Sequence, residues 1–179
     1  MQDKSNEKKK NPLKKTLVLY TMNEIEGIKS IFDRIPISLF DEFFVMDNHS
    51  DDGTVEFLEK NGIKVIQQKK SGRTNALIEA VEYAIGDIII NLSSDGNEKP
   101  EDIPKILEKF NEGYEMVTAS RFLPDSRVDL GDDKLRIRVF GNKLCTFLVN
   151  ICWGANVTDT TNGLRGITKY CYRETKLST

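Results

Sequence analysis

Histidine is almost missing from this sequence. His49 is the only one, and no cysteine cluster stands near it. His49 is therefore unconvincing as a catalytic base or ligand, and no second histidine supports a zinc site. Cysteine is also scarce, with Cys145, Cys152 and Cys171 an odd three. The count excludes a disulfide framework and suits reduced thiols in a cytosolic setting. Cys145 and Cys152 are seven apart, on one helical face, and are expected in the core. No apolar run reaches the roughly 18–20 residues of a spanning helix. No apolar h-region follows the basic N-terminus, so it does not read as a secretory signal. An excess of one charge is lacking too. Lys and Arg number 26 against 28 Asp and Glu, a net charge of −2. That removes the global argument for nucleic-acid binding.

What charge asymmetry exists is local. Residues 4–15 hold six lysines, Lys4, Lys8, Lys9, Lys10, Lys14 and Lys15. Residues 1–15 read as a solvated, disordered tail. The alternative is a patch resting on an anionic leaflet, at about 1 kcal/mol per lysine near the surface. The remaining chain, 16–179, has the length of one domain with a real core.

Apolar runs alternate with helical stripes along that domain. Strands are expected at 17–20, 43–46, 63–66, 87–92 and 116–119. Between them, Asn23 is a candidate cap for a helix carrying Ile25, Ile28, Ile31 and Phe32 inward. Val55, Phe57 and Leu58 mark a short helix closed by Asn61-Gly62. Ala76, Leu77, Ala80, Val81 and Ala84 share one stripe, as do Ile103, Ile106, Leu107 and Phe110. This alternation predicts an α/β fold with a mostly parallel sheet and helices on both faces. Residues 122–133 read as a long loop. Residues 134–153 read as an amphipathic helix with Arg136, Arg138 and Lys143 near its start. Its apolar face is expected in the core, with an interfacial position on a bilayer as the alternative.

The chemistry gathers at strand ends. The fourth strand runs into Ser93-Ser94-Asp95-Gly96, and the second ends in Asp47-Asn48-His49-Ser50-Asp51-Asp52-Gly53. In an open α/β sheet, ligands bind outside the carboxyl ends of the strands. Asp95 there is a group able to hold a divalent metal on a diphosphate; Asp47 can meet a base or ribose, although its segment taken alone reads as a polar turn. Lys69-Lys70-Ser71-Gly72-Arg73 opens a helix with cations and free N–H groups, which favours an anion. It lacks the frame of a nucleotide-hydrolase phosphate loop.

Taken in order, six segments resemble one family. They are Asn23-Glu24; Asp47 through Thr54; Gly72-Arg73 with Asn75-Ala76-Leu77; Gly86-Asp87-Ile88; Asp95-Gly96 with Pro100 through Pro104; and Ser120-Arg121-Phe122. Gly141-Asn142 and Thr158-Asp159 with Asn162-Gly163-Leu164-Arg165 extend the likeness over about residues 16–170. The pattern resembles family 2 glycosyltransferases, within them the dolichyl-phosphate mannose synthase-like branch, including bacterial surface-polysaccharide members with Ser-x-Asp-Gly-Asn at this place.

The resemblance implies a GT-A fold, a Rossmann-like three-layer α/β/α domain. It implies inverting transfer of a sugar from a UDP- or GDP-linked donor to a polyprenyl-phosphate or glycan acceptor in cell-envelope synthesis, with Mg²⁺ or Mn²⁺. Carried over residue by residue, Asn23, Glu24, Asp47, Arg73, Ser93 and Asp95 form the donor site, with Asp95 the metal ligand. Arg121, Asp159 and Arg165 are the candidate catalytic residues. Asp159 is either a base for a hydroxyl acceptor or the partner that orients Arg165, Arg136 or Arg138 towards a lipid phosphate. Three departures stand out. Tyr20 replaces a proline, Asn48 replaces an acid, and Ser93 replaces the first carboxylate of the DxD metal motif. The expected setting is the cytoplasm or, peripherally, the inner face of the membrane, with a homo-oligomer possible. The rival readings are a nucleotide-sugar-binding partner subunit without catalysis and a sugar nucleotidyltransferase. The latter expects a glycine-rich first turn, which Tyr20-Thr21-Met22-Asn23-Glu24 lacks.

Overall fold

The computed structural model describes residues 12–123 and 133–175. The lysine run up to Lys10, most of the 122–133 loop and the side chains of Arg136 and Arg138 lie outside the described residues.

The expected strands form. They are β1 (Lys15–Thr21), β2 (Glu42–Asp47), β3 (Lys64–Gln67), β4 (Ile88–Ser93) and β5 (Met116–Thr118). The first four pair in parallel, β1 with both β2 and β4, and β2 with β3. A sixth strand, β6 (Arg165–Thr168), was not anticipated. It runs antiparallel between β4 and β5, giving the order β3-β2-β1-β4-β6-β5. Four residues with a glycine in second place carry little strand signal of their own.

Helices cover both faces because β1, β2 and β4 are apolar on both. Leu17, Leu19, Val45, Ile90 and Leu92 point one way and meet Ile28 and Ile31 of α1 (Ile25–Ile31), Leu58 of α2 (Thr54–Lys60), and Ile103, Ile106 and Phe110 of α4 (Ile103–Asn111). Val18, Phe44, Met46 and Ile89 point the other way and meet Ala76, Ala80 and Val81 of α3 (Arg73–Tyr83). Cys171 and Tyr172 of α6 (Lys169–Glu174) pack against that second cluster.

The α1 cap differs from expectation. Asn23 takes a left-handed φ of 55°, and its Oδ1 accepts from Asp51 N–H instead. The N–H of Ile25 donates to Asp52 Oδ2 at 3.0 Å. The orphan donor of α1 is thus met by a carboxylate from the β2–α2 loop, which locks that loop to the helix start.

The larger correction concerns α5 (Asp133–Trp153). Its apolar stripe does not enter the core. Ile137 is 74 % exposed, Phe140 70 % and Trp153 76 %, and Leu144, Phe147, Leu148 and Ile151 are exposed with them. Cys145 and Cys152, expected in the core, are exposed as well. The helix is held by a polar ridge at Thr146 and Asn150. Thr146 is buried, and its hydroxyl lies 3.2 Å from that of Thr160. Asn150 grips the backbone of Val157, donating to its carbonyl at 2.9 Å and accepting from its N–H at 3.0 Å. Side chains four apart share a helix face, so this ridge turns the apolar stripe away from the protein.

Candidate active site

The chain order β1-β2-β3 runs outward on one side of the sheet and β4 begins the other, so the direction reverses between β1 and β4. Loops at the carboxyl ends of β1 and β4 therefore part rather than cross, leaving a crevice. A cleft of about 750 Å³ opens there. Tyr20, Thr21, Met22 and Glu24 line it from the end of β1 and the loop after it, Asn91 to Asp95 from β4, Ser71 to Thr74 with Ala76 and Leu77 from the start of α3, and Thr161, Gly163 and Arg165 from the segment entering β6. Of the sequence-derived donor residues, Glu24, Arg73, Ser93 and Asp95 meet in this wall, joined by Arg165.

The β4 loop is clamped from below. A Cβ on Gly27 of α1 would collide with the backbone O of Ser94 and lie 3.1 Å from Asp95 Cα. The absence of a side chain at residue 27 lets the loop seat on the helix. Asp95 itself is exposed, and its Oδ1 accepts from Asn97 N–H at 3.1 Å. The α3 entry is held by Gln68, whose buried amide donates to the carbonyls of Lys70 and Gly72. Tyr20 donates its hydroxyl to Asn91 Oδ1 at 2.8 Å, and burial pushes its phenol well above the ordinary range.

Asn23 and Asp47 are not in the cleft wall. Asp47 is fully buried, its Oδ2 accepting from Ser50 N–H at 2.9 Å and its Oδ1 from Ser50 Oγ at 2.5 Å. Ser50 Oγ in turn accepts from Asn23 N–H. Both residues thus shape the rim formed by the β1 and β2 loops.

Arg121 and Asp159 form a closed unit beside the cleft. Arg121 donates Nε to Asp159 Oδ2 at 2.8 Å and Nη2 to Oδ1 at 3.0 Å, a two-pronged ion pair. The backbone N–H of Arg121 also reaches Oδ2, and Thr161 donates its N–H and hydroxyl to Oδ1. The Asp159 side chain is 0 % exposed. Burial alone would raise its pKa, but these donors outweigh it and hold the carboxyl down at about 2. A carboxylate so engaged is a weak proton acceptor, and it orients Arg121 rather than Arg165. Arg165 donates instead to the carbonyl of Asn162.

One residue of this neighbourhood escaped the sequence reading. Glu98 folds back so that its Oε2 accepts from Ser93 N–H at 2.8 Å. A Cβ on Gly163 would collide with Glu98 Oε1 and come within 3.3 Å of Arg73 Nη2. Burial, and the Asp95 charge beside it, push the Glu98 carboxyl above the usual range against the pull of Ser93 N–H, Arg73 and Arg165.

The donor set also decides what metal the site fits. Among the described residues no three His, Cys, Asp or Glu side chains gather as a metal cluster. One exposed carboxylate and a serine hydroxyl fit a hard cation that brings its other oxygen ligands along, as Mg²⁺ does with phosphates and waters. They do not fit a resident, fully caged ion.

A mostly parallel sheet of this order, with its cleft at the switch point between β1 and β4, has the architecture of the GT-A fold. The chain belongs to glycosyl transferase family 2, whose sequence model matches residues 17–175. It is 29 % identical over 160 residues to a glycosyltransferase, AglJ, of Haloferax volcanii, covering 88 % of this chain and 51 % of that one. It is 30 % identical over 125 residues to a dolichol-phosphate mannosyltransferase of Pyrococcus furiosus, covering 65 % and 36 %. A dolichyl-phosphate hexose transferase of Haloferax volcanii is 30 % identical over 83 % of this chain and 64 % of its own length. Among solved structures, glucosyl-3-phosphoglycerate synthase of Mycobacterium tuberculosis with Mn²⁺ and UDP-glucose superposes with a TM-score of 0.70. Identity there is 22 %, over 88 % of this chain and 57 % of that one. The chain spans from about a third to two thirds of the length of these relatives.

Proposed function

We propose that residues 16–179 act as one catalytic domain that moves a hexose from a UDP- or GDP-linked donor to a polyprenyl phosphate at a membrane surface. The observation that carries the reading is the cleft between β1 and β4, whose lining brings Asp95 together with Arg73 and Arg165. In this reaction an acceptor oxygen attacks the anomeric carbon as the bond to the donor's diphosphate breaks, with inversion. The leaving diphosphate gathers negative charge, which Arg73 and Arg165 stabilise from fixed positions. A divalent ion bound by Asp95 and the diphosphate oxygens would neutralise more of that charge. Ser93, Glu24 and the α3 entry position the donor.

Two features favour a lipid phosphate over a sugar hydroxyl. A hydroxyl needs a base within hydrogen-bond reach, and Asp159 has its oxygens committed to Arg121 and Thr161. A phosphate is already ionised. In this reading Asp159 is a positioning residue, and Arg121 the cation it presents to the acceptor. The outward apolar stripe of α5 supplies a surface for the lipid and the bilayer, although no helix of the described residues is long and apolar enough to cross one. The relatives named as a dolichol-phosphate mannosyltransferase and a dolichyl-phosphate hexose transferase support the same acceptor class.

Asp95→Ala is expected to lower transfer from a labelled donor by at least about a hundredfold, with circular dichroism unchanged. Full turnover by that variant at saturating donor and Mn²⁺ removes the metal-ligand assignment. For α5, replacing Phe147 and Trp153 with Ser is expected to reduce flotation with anionic liposomes. Flotation unaffected by the pair counts against membrane contact through this helix. Ser93 in place of an acid favours a second reading, a nucleotide-sugar-binding subunit without catalysis. It predicts donor binding with no transfer to any polyprenyl phosphate or glycan.

A further inference from the structure

The missing carboxylate at Ser93 leaves a question of charge that the surroundings answer. The cleft wall sets Glu24 and Asp95 against Arg73 and Arg165, two charges of each sign. Glu98 is not in that wall. It stands directly behind it, its carboxylate docked on the Ser93 N–H at 2.8 Å and seated against Gly163, where a side chain would collide with Oε1. The same point lies 3.3 Å from Arg73 Nη2. Arg73, Arg165 and Asp95 all act on the Glu98 carboxylate electrostatically. The loop from Ser93 to Glu98 thus returns a negative charge to the residue that lacks one.

We propose that Glu98 sets the metal requirement of the donor site by charge, without touching donor or metal. With it, the cleft carries one negative charge in excess. A bare nucleoside diphosphate, at a charge of about −3, is repelled, whereas a divalent cation lowers that charge to about −1 and weakens the repulsion. The site selects the metal complex of the donor although its loop offers one carboxylate ligand. This inference rests on the donor-site reading of the cleft and goes beyond it by assigning specificity to a residue outside the wall.

The test measures UDP and GDP binding by calorimetry, each in EDTA and in MnCl₂, for the wild type, Glu98→Gln and Glu98→Asp. Glutamine keeps an acceptor for Ser93 N–H and removes the charge. The expected result for Glu98→Gln is an affinity in EDTA raised about threefold or more, and a Mn²⁺ enhancement smaller by a similar factor. Glu98→Asp keeps the wild-type enhancement. Equal losses in EDTA and Mn²⁺ assign Glu98 a purely structural role and overturn the proposal. So does an unchanged ratio. A loss confined to Mn²⁺, with no gain in EDTA, makes Glu98 a direct metal ligand and overturns it too. If the wild type binds neither nucleotide in either condition, the donor-site reading fails first. Wild-type binding together with an unresponsive Glu98→Gln defeats only the charge role.

Discussion

Asp159 carries the clearest pH signature of any single residue. Its folded pKa is depressed to about 2, against about 3.9 for a free aspartate. The stabilisation is therefore complete above about pH 4 and is lost as pH falls towards 2. Asp159→Asn leaves the Arg121 guanidinium facing an amide and is expected to cost about 2–3 kcal/mol in urea unfolding at pH 7. The figure sits below that for a fully buried pair because Arg121 is 40 % exposed. The wild-type and variant curves should converge near pH 2. Glu98 has the opposite sign. Its folded pKa is raised, so its ionisation weakens the fold as pH rises above the ordinary carboxylate range, and Glu98→Gln should melt higher than the wild type at pH 7. Asp95 was legible from sequence because an acid after an apolar strand has few other places to be. Glu98 was not, since nothing local says that its side chain returns to Ser93. The committed state of Asp159 was hidden for a related reason, because its partner Arg121 is 38 residues away.

Helices and strands were legible to the degree that their apolar residues had one place to go. The stripes of α3 and α4 pointed inward as the periodicity required, with Ala76, Ala80, Ile103, Ile106 and Phe110 buried. The stripe of α5 has the same period and points outward. Periodicity defines a face and not its direction. The deciding signal was the polar pair Thr146 and Asn150, which only a docked partner such as Thr160 or Val157 makes meaningful. Packing between elements also gives a sharp test. Gly27→Ala pushes α1 against the Ser94 carbonyl and Asp95. Main chain cannot yield as a flexible side chain does, so a loss of about 1–3 kcal/mol is expected. Nucleotide binding should weaken more than stability alone explains. Calorimetric binding at wild-type strength in a destabilised Gly27→Ala would show that the Asp95 loop does not depend on its seat.

Seen as a whole molecule, the site is assembled from segments far apart in the chain: the ends of β1 and β4, the entry to α3 and the approach to β6. A ligand that bridges them should stabilise the entire domain by mass action. A thermal-shift panel of UDP- and GDP-sugars with Mn²⁺ should show one base raising the midpoint by several degrees, and an absence of any shift would argue against the cleft as a donor site.

The antiparallel strand β6 has one more consequence, for the order in which the protein is made. Among the described residues β5 pairs with β6 alone, and β6 fills the place beside β4. While the chain is being synthesised, β4 therefore has an open edge and β5 has no neighbour until residues 165–168 emerge. An unpaired edge of this kind invites other strands. A ribosome-bound chain ending near residue 160 should be protease-sensitive through β5 and prone to associate. One extended far enough to bring α6 clear of the ribosome should become resistant, and Arg165 should join the cleft in the same step.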